Sequence, residues 1–424
     1  MSGNLVGIWL LIPEYLRLGL WDLLKAWSAT ADERVEARLA LQLVNEAALC
    51  VNGIRQKRSL SQKGFELANG LPFVATDGAI HFLLDSHTVA QAKRLQIALG
   101  KIRGTFGHFK ASVLAIDPHR VQSYSKRQMV RHRKHTDDKA SKMAQTFFCL
   151  DADTCQPLCF VTGTGSRTAS DAAKELLGMA AQILKPATDK VLVVADTEHY
   201  SAGLYDWVRS NSPFDLLTPV SSSKSLRKAF ETIARDQFEP HWPGYATIKR
   251  AHQFKNHDSE PFYQFIQRKG ERDDDYDFKA FLCTSDRSEV EALSEGYPDR
   301  WHIEEFFKTD QALGWHRAGT MNLNIQYGKM TMSLLAQAAV HMLRHRIGSA
   351  ISSWDSQHFA NDVLKGLEGD VRVKQDTIIV TYYNAPNKEL LRKHYEQLPK
   401  KLANEGVSAK VPWLYDFKID FRFK

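Results

Sequence analysis

Two short, unbroken apolar runs that each end in an aspartate constrain the fold of this 424-residue chain more than any other feature. Residues 113–116 (VLAI) precede Asp117, and residues 191–195 (VLVVA) precede Asp196. Runs of this kind are typical of strands that are buried on both faces of a sheet. Each strand therefore carries a carboxylate to the point where it meets solvent. We predict that the two strands are neighbours and that their aspartates lie close together.

A third acid, Glu304, is predicted to project from a helix. Pro298 suits a first helical position, and the residues after it supply an apolar face. Arg300 lies four residues before Glu304 and Lys308 four after it, so the three share one helix face. Tyr297 would extend that row, although the proline that follows it disfavours helical backbone at Tyr297. The apolar face consists of Trp301, Ile303, Phe306 and Phe307.

The chemistry of these acids indicates a metal site. Asp117, Asp196 and Glu304 offer hard oxygen ligands without histidine or cysteine, a set that favours Mg²⁺ or Mn²⁺ over zinc. Two such ions about 3.5–4 Å apart stabilise both the attacking and the leaving oxygen of an in-line phosphoryl displacement. A single aspartate at a strand end is more often a turn or cap residue. The combination of two strand aspartates and a helix glutamate is far more specific.

These residues resemble a known signature. Tyr297-x-x-Arg300-x-x-x-Glu304 resembles the motif of the DDE transposases of bacterial insertion sequences, in the subgroup whose glutamate helix reads Tyr-x-x-Arg-x-x-x-Glu-x-x-x-x-x-x-Lys. Residues 193–201 (VVADTEHYS) are similar to the segment that carries the second aspartate of that family. The resemblance covers roughly residues 105–350. The closing lysine of the motif is replaced by Gln311 in this chain.

The resemblance implies an activity and partners. Asp117, Asp196 and Glu304 would coordinate two Mg²⁺ ions, which Mn²⁺ can replace, to cut a transposon strand. The freed 3′-hydroxyl would then attack target DNA at the same site. Arg300 and Tyr297 would position the terminal phosphates. The family usually works as a homodimer that bridges two transposon ends.

Basic residues near the acids are predicted to bind the DNA backbone. Besides Lys308, the loop after Asp117 carries several cations. Such a loop would bind phosphates in a salt-dependent and sequence-independent manner, although a solvated charge run remains the alternative. The net charge of +7 and the pI of about 9.0 suit a polyanionic partner but are mild for this length. The loop cations are Lys126, Arg127, Arg131, Arg133 and Lys134.

The order of predicted elements indicates an α/β fold. Three strands, a helix, a strand, a helix and a strand resemble a ribonuclease H-like core, a mixed sheet flanked by helices. We predict a helical N-terminal region at 1–105 and a first core segment at 106–234. The cations at 54–65 leave two interpretations of the first region open, DNA-end binding and a solvated connector between helices. A β-rich insertion at 235–284 then precedes the glutamate helix and a packing helix at 285–350. The region 351–424 has no predicted role.

Two other functions stay open, and several are excluded. A ribonuclease H-like nuclease or resolvase would hydrolyse DNA without strand transfer, and a remnant with Gln311 would bind transposon ends without cutting them. The chain has no G-x-x-x-x-G-K-[ST] phosphate loop, so nucleotide hydrolysis is not indicated. It also has no CxxC pair. The apolar run at 5–12 is too short to span a bilayer, so we expect a cytoplasmic, DNA-associated protein.

Overall fold

The computed structural model describes the chain except for residues 1, 29–32, 52–57, 124–127, 129, 133–138, 164–165, 187–189, 256, 258, 273–274, 316–319, 321 and 384. The chain divides into two compact units. The first comprises residues 1–103, 121–127 and 307–424. The second, which we call the core unit, comprises residues 104–120 and 128–306.

One mixed sheet organises the core unit. Its described strands are β1 (Val113–Gln122), β2 (Arg131–His132), β3 (Ser141–Asp151), β4 (Gln156–Gly163), β5 (Val191–Ala195), β6 (Phe214–Pro219), β7 (Glu239–Trp242), β8 (Tyr245–His252), β9 (Phe262–Lys269) and β10 (Asp277–Cys283).

The strand order confirms the predicted fold class. The strands follow one another as β2-β3-β1-β5-β6-β10-β9-β8-β7, and β4 pairs with β3. Strands β1, β5 and β6 run parallel, whereas β3 and β4 form an antiparallel hairpin. The order β4-β3-β1-β5-β6 is thus a ribonuclease H-like mixed core. Its parallel strands are buried because helices cover the sheet.

The described α-helices of the core unit are α1 (Ala169–Leu184), α2 (Ala202–Asn211), α3 (Lys224–Glu231) and α4 (His302–Asp310), whose last residues belong to the other unit. Side chains cap the first turns of α1, α2 and α3. The hydroxyls of Thr168, Ser201 and Ser223 accept hydrogen bonds from the backbone N–H groups of Asp171, Leu204 and Leu226. Each hydroxyl satisfies a donor that the helix itself leaves unpaired.

Strands β7 to β10 extend the same sheet. They fall within 235–284, the range predicted to hold a β-rich insertion. The extension begins where β10 pairs antiparallel with β6, from Phe281 opposite Pro219 to Cys283 opposite Leu217. The buried Tyr205 hydroxyl of α2 strengthens this junction, because it donates to the Leu282 carbonyl at 2.7 Å. The insertion is therefore a continuation of the core sheet.

The two faces of this extension differ. On one face, Phe230 of α3 packs with Ile266 and Ala280 in an apolar cluster. Residues of β9 and β10 alternate between the faces, so Gln267, Lys269 and Lys279 lie on the other face.

The first unit combines helices with a smaller sheet. Its described α-helices lie at Ile12–Arg17, Leu20–Ser28, Glu33–Ala48, Lys63–Ala68, Asp77–Ser86, Val89–Thr105, Leu323–Ile347, Ser349–Ser352, Ser356–Phe359, Lys388–Tyr395 and Leu398–Asn404. Helix Leu323–Ile347 packs against Glu33–Ala48 and Asp77–Ser86. None of the described helices is long and apolar enough to cross a membrane. The strands are Ser2–Gly3, Gly369–Lys374, Thr377–Tyr382, Phe417–Phe423 and Lys410–Val411, in sheet order.

A buried ionic network connects the two ends of the first unit. The Glu14 carboxylate is fully buried and lies 2.8 Å from Arg17 Nη1 and 3.4 Å from Arg346 Nε. Arg17 Nε is also 2.6 Å from Glu405 Oε2. The guanidinium of Arg17 therefore compensates a buried charge that no water reaches.

Removing Arg17 should destabilise the first unit strongly. Loss of one partner from a buried ion pair typically costs about 3–5 kcal/mol, since the other charge is left uncompensated. We expect Arg17→Ala to lower the urea midpoint of this unit accordingly. Lys25→Ala, which removes an i,i+3 pair with the exposed Asp22, is the control and should cost no more than about 1 kcal/mol. Equal effects of the two substitutions would contradict the role of the network.

Candidate active site

The parallel register of β1 and β5 brings the two strand aspartates together. Ile116 pairs with Ala195, so Asp117 and Asp196 are the next residues on adjacent strands. Both side chains are partly exposed, at 17% for Asp117 and 28% for Asp196. The predicted neighbourhood of the two carboxylates is thus present at the carboxyl edge of the sheet.

A tight turn fixes the Asp196 carboxylate. Its Oδ1 accepts a hydrogen bond from the backbone N–H of Glu198 at 3.1 Å and lies 2.8 Å from Nδ1 of His199. The His199 side chain is fully buried. Burial alone would raise the pKa of Asp196, but the hydrogen bond and charge of His199 hold the pKa below its ordinary value. Asp196 is therefore kept ionised.

A second ion pair joins the segments that carry the two aspartates. Arg120 lies on β1 after Asp117, and both of its terminal nitrogens contact the carboxylate of Glu198, with Nη1 at 2.7 Å from Oε1. Arg120 Nε also donates to Gln145 of β3 at 3.2 Å. A bidentate pair of this kind fixes the orientation of the two side chains as well as the distance between them. It links the turn after Asp196 to two strands of the sheet.

The third acid reaches the site through a closely packed approach segment. A π-helical turn at Glu291–Gly296 and a 3₁₀ turn at Pro298–Trp301 precede α4, which carries Glu304. A Cβ atom at Gly296 would lie 2.7 Å from Leu192 Cδ2, so a larger residue there would require the Leu192 side chain of β5 to move. The prediction that Glu304 projects from a helix is correct.

The backbone conformation of Tyr297 differs from the one expected before a proline. Despite the proline that follows, its backbone is helical, with φ of −69° and ψ of −36°. Its N–H donates to the Ala292 carbonyl at 2.9 Å, so the π-helical turn holds it in place. Its ring packs edge-on against Phe281 of β10, with 4.7 Å between ring centroids. This contact seats the segment before Glu304 on the sheet extension.

Arg300 bridges the strand acids and the helix acid. Its Nη1 lies 3.9 Å from Asp117 Oδ1, and its Nη2 lies 3.5 Å from Glu304 Oε1. Burial lowers the pKa of Arg300, but Asp117, Tyr297, Glu304 and Asp196 outweigh that effect and raise it overall. The guanidinium thus lies near Asp117 and Glu304 and is attracted more weakly by Asp196.

The ionised form of Asp117 is strongly disfavoured at this site. Burial and then the neighbouring Asp196 raise the pKa of Asp117 from 3.8 to about 8, and Glu304 and Glu198 add to the increase. Arg300 opposes these effects without cancelling them. A further cation beside these acids would therefore favour the ionised form of Asp117.

The donor set fits a hard divalent cation. Asp117, Asp196 and Glu304 supply only carboxylate oxygens, and the charges of Asp196 and Glu304 beside Asp117 favour a cation. In the described part of the chain, no three His, Cys, Asp or Glu side chains are close enough to hold an ion in their present positions. Arg300 bridges Asp117 and Glu304 instead.

The other predicted site residues are the basic residues expected to bind DNA, and the structure describes two of them. Arg131 is exposed on β2 and pairs in register with Lys142. Lys308 is exposed on α4, beyond the boundary of the core unit. The predicted DNA-binding residues Lys126, Arg127, Arg133 and Lys134 lie outside the described residues.

Three residues that surround the acids were not predicted from the sequence. They are Arg120, Glu198 and His199, which pair with one another or with Asp196. A signal was present, because residues shortly after Asp117 and Asp196 must meet once the strands are parallel and in register. The opposite charges of Arg120 and Glu198 at those positions indicate an ion pair.

The sheet order and the acids at its edge define a ribonuclease H-like protein with an acidic site. Residues 108–338 match the family described as the Transposase DDE domain. The match covers more than half of the 424 residues and contains Asp117, Asp196 and Glu304. The chain therefore belongs to the DDE transposase family.

A solved structure of similar fold is a piggyBac transposase synaptic complex with hairpin DNA, determined by cryo-EM. The two chains are 12% identical, with a TM-score of 0.43, over 95% of this chain and 86% of the other. No curated protein matches the chain.

Replacing Asp117 by asparagine should stabilise the metal-free protein at pH 8. With a pKa raised from 3.8 to about 8, the folded state binds the extra proton between these values, so stability falls as the pH rises through this range. Asp117→Asn lacks this penalty, which is at most about 1.4 kcal/mol per pH unit.

Thermal unfolding from pH 5 to pH 8 in EDTA measures the effect. The melting temperature of Asp117→Asn should exceed that of the parent at pH 8, and the difference should shrink towards pH 5. Asp236→Asn, at an exposed position of the core unit, is the control and should follow the parent. A variant no more stable than the parent at pH 8 would show that burial and the neighbouring acids do not penalise the ionised form of Asp117.

Proposed function

We propose that this transposase cuts DNA at transposon ends and joins the freed 3′-hydroxyl to target DNA, with Asp117, Asp196 and Glu304 as its catalytic acids. The observation that carries the proposal is the convergence of these acids on one site, where Arg300 lies 3.9 Å from Asp117 and 3.5 Å from Glu304 and where burial and Asp196 raise the pKa of Asp117. The signature around Tyr297, Arg300 and Glu304 supports an insertion-sequence element of the subgroup named above.

The three acids would hold two Mg²⁺ ions, or Mn²⁺ in their place. When bound, these ions would stabilise the attacking and leaving oxygens of an in-line displacement. His199 fixes the Asp196 carboxylate in one orientation and keeps it ionised. The Arg120–Glu198 pair holds the two aspartate segments together. These residues position ligands and do not themselves touch the reacting atoms.

Two displacements at phosphorus would complete the reaction. In the first, the oxygen of water bonds to phosphorus and the bond to the 3′-oxygen breaks, which leaves a 3′-hydroxyl and a 5′-phosphate. In the second, that hydroxyl attacks a phosphodiester of target DNA, and one phosphodiester bond replaces another. No nucleotide hydrolysis is needed. Arg300 and Tyr297 would orient the phosphates, with Lys308 and the basic loop as further backbone contacts.

Two further features belong to the proposal. A homodimer would bring two transposon ends together, so that both can be joined to one target. The region 1–105 would contribute to the recognition of those ends. DNA is the partner in both cases.

Removing a single catalytic acid should abolish cutting while DNA binding remains. We expect Asp196→Ala and Glu304→Ala to cut a plasmid that carries the element at least about a hundredfold more slowly in Mg²⁺, since electrostatic groups of an active site typically contribute this much. Electrophoretic mobility shifts should change little. Glu305→Ala, an exposed neighbour on the same helix, is the control and should cut at the parental rate.

The products distinguish the competing functions. Cut ends that are never joined to target DNA would indicate a nuclease or resolvase. Binding without any cutting by the parent protein would indicate a remnant. Undiminished cutting by both acid variants would remove the proposed catalytic centre.

Arg300→Ala should impair cutting more than binding. A lost phosphate contact reduces the slope of log affinity against log salt by about one unit, whereas a misplaced scissile phosphate also loses its reactive geometry. Both quantities can be measured with the same protein, by anisotropy across a salt series and by plasmid cutting. The control is Arg227→Ala on α3, which packs on the opposite face of the sheet from Tyr297. An unchanged slope with unchanged cutting would make Arg300 a structural residue only.

A further inference from the structure

The sheet extension carries cations that none of the roles above uses. Lys269 ends β9, and Lys279 lies on the adjacent strand β10. In the register of these strands, Lys279 is opposite Gln267 and Lys269 is opposite Asp277, so both lysines lie on the same face. Both side chains are exposed. The pair therefore forms a basic surface on the extension, which we call the lysine face.

The lysine face is adjacent to the segment that carries Arg300. Lys279 Nζ lies 5.2 Å from the ring centroid of Phe281 and 5.4 Å from that of Tyr297. The backbone carbonyl of Tyr297 in turn accepts a hydrogen bond from the Arg300 N–H at 3.1 Å, and the Tyr297 ring packs on Phe281. The Lys279 ammonium thus lies near two aromatic rings, one of which belongs to the segment that carries Arg300.

Like charges are crowded at this position. Burial lowers the pKa of Lys279, and the cations Lys269 and Arg300 lower it further, whereas Asp277 opposes them only weakly. The described residues provide neither lysine with an ion pair. Lys249 on the same face, by contrast, lies 2.7 Å from Asp286 Oδ1 and 3.5 Å from Glu289 Oε2. Positive charge that is not compensated on an exposed face favours the binding of a polyanion.

We propose that Lys269 and Lys279 bind the phosphate backbone of the DNA that enters the site beside Arg300. The inference rests on the proposed function, because that function supplies DNA as the ligand. The three cations would then form one track, which runs from the acids onto the sheet extension. A phosphate within reach of both ammonium groups would relieve their mutual repulsion, which no described acid fully offsets.

A salt series tests the proposal with a fluorescein-labelled 30-base-pair duplex of random sequence. Such a probe is sufficient, because backbone contacts do not depend on sequence. Each lysine that neutralises a phosphate contributes about one unit to the slope of log affinity against log salt. We expect Lys279→Ala and Lys269→Ala each to reduce the slope by about one unit, and the double variant by about two. Lys279→Arg should restore the parental slope.

The controls separate a lost contact from a lost fold. Lys249→Ala removes a charge from the same face that is already paired, so its slope should equal that of the parent. Circular dichroism melting should show that each variant is folded, and Lys279→Gln, which retains a polar chain, replaces the alanine variant if that fails. Unchanged slopes in the double variant would overturn the proposal.

The result of the salt series on the lysine variants is independent of the assignment of the catalytic acids. If the lysine variants bind normally while Asp196→Ala abolishes cutting, the lysine face is wrong and the active site stands. If the lysine variants reduce the salt-dependence slope while Asp196→Ala cuts normally, the lysine face stands and the active-site assignment is wrong.

Discussion

Repulsion between carboxylates at one edge of the sheet is the constraint on which the rest of the site depends. The parallel register of β1 and β5 leaves no freedom in the separation of Asp117 and Asp196, because backbone hydrogen bonds fix the strands. Their charges must then be offset by neighbours. Arg300 faces Asp117 and Glu304, and His199 holds Asp196. The pKa of Asp117 is nevertheless raised, first by burial and then by the charge of Asp196.

This repulsion is tolerated because the elements that carry the acids are held elsewhere. Leu114, Ala115 and Ile116 are fully buried, as are Val193 to Ala195 on the adjacent strand. Apolar burial of this kind contributes roughly 25 cal/mol for each Å² removed from water. The Arg120–Glu198 pair adds a fixed connection outside the sheet. Such a site has the character of a functional centre, in which local electrostatics oppose stability.

The sequence was sufficient for features that depend on local patterns. Unbroken apolar runs identified β1 and β5, and the spacing around Glu304 identified its helix and the neighbouring Arg300. Contacts between distant segments could not be predicted in this way. The pairing of Arg120 with Glu198 requires the register of two strands, and the junction of β10 with β6 requires the tertiary fold.

Two further features show why local rules are incomplete. The helical backbone of Tyr297 contradicts the usual effect of a following proline, because a π-helical turn supplies the hydrogen bond that holds it. The lysine face was missed since Lys269 and Lys279 are separated by a loop and meet only through the pairing of β9 and β10. In both cases tertiary structure overrides the local preference.

The continuity of the sheet from β6 into β10 has a mechanical consequence. Backbone pairing from Phe281 to Cys283, together with the Tyr205 hydroxyl, joins the extension to the sheet that carries Asp117 and Asp196 and so opposes a hinge between them. A duplex held by both would meet a surface that adapts its shape little. The duplex itself must therefore bend or untwist to fit. Base steps that deform easily would be bound more tightly even where no side chain touches a base, so DNA stiffness would become a source of selectivity.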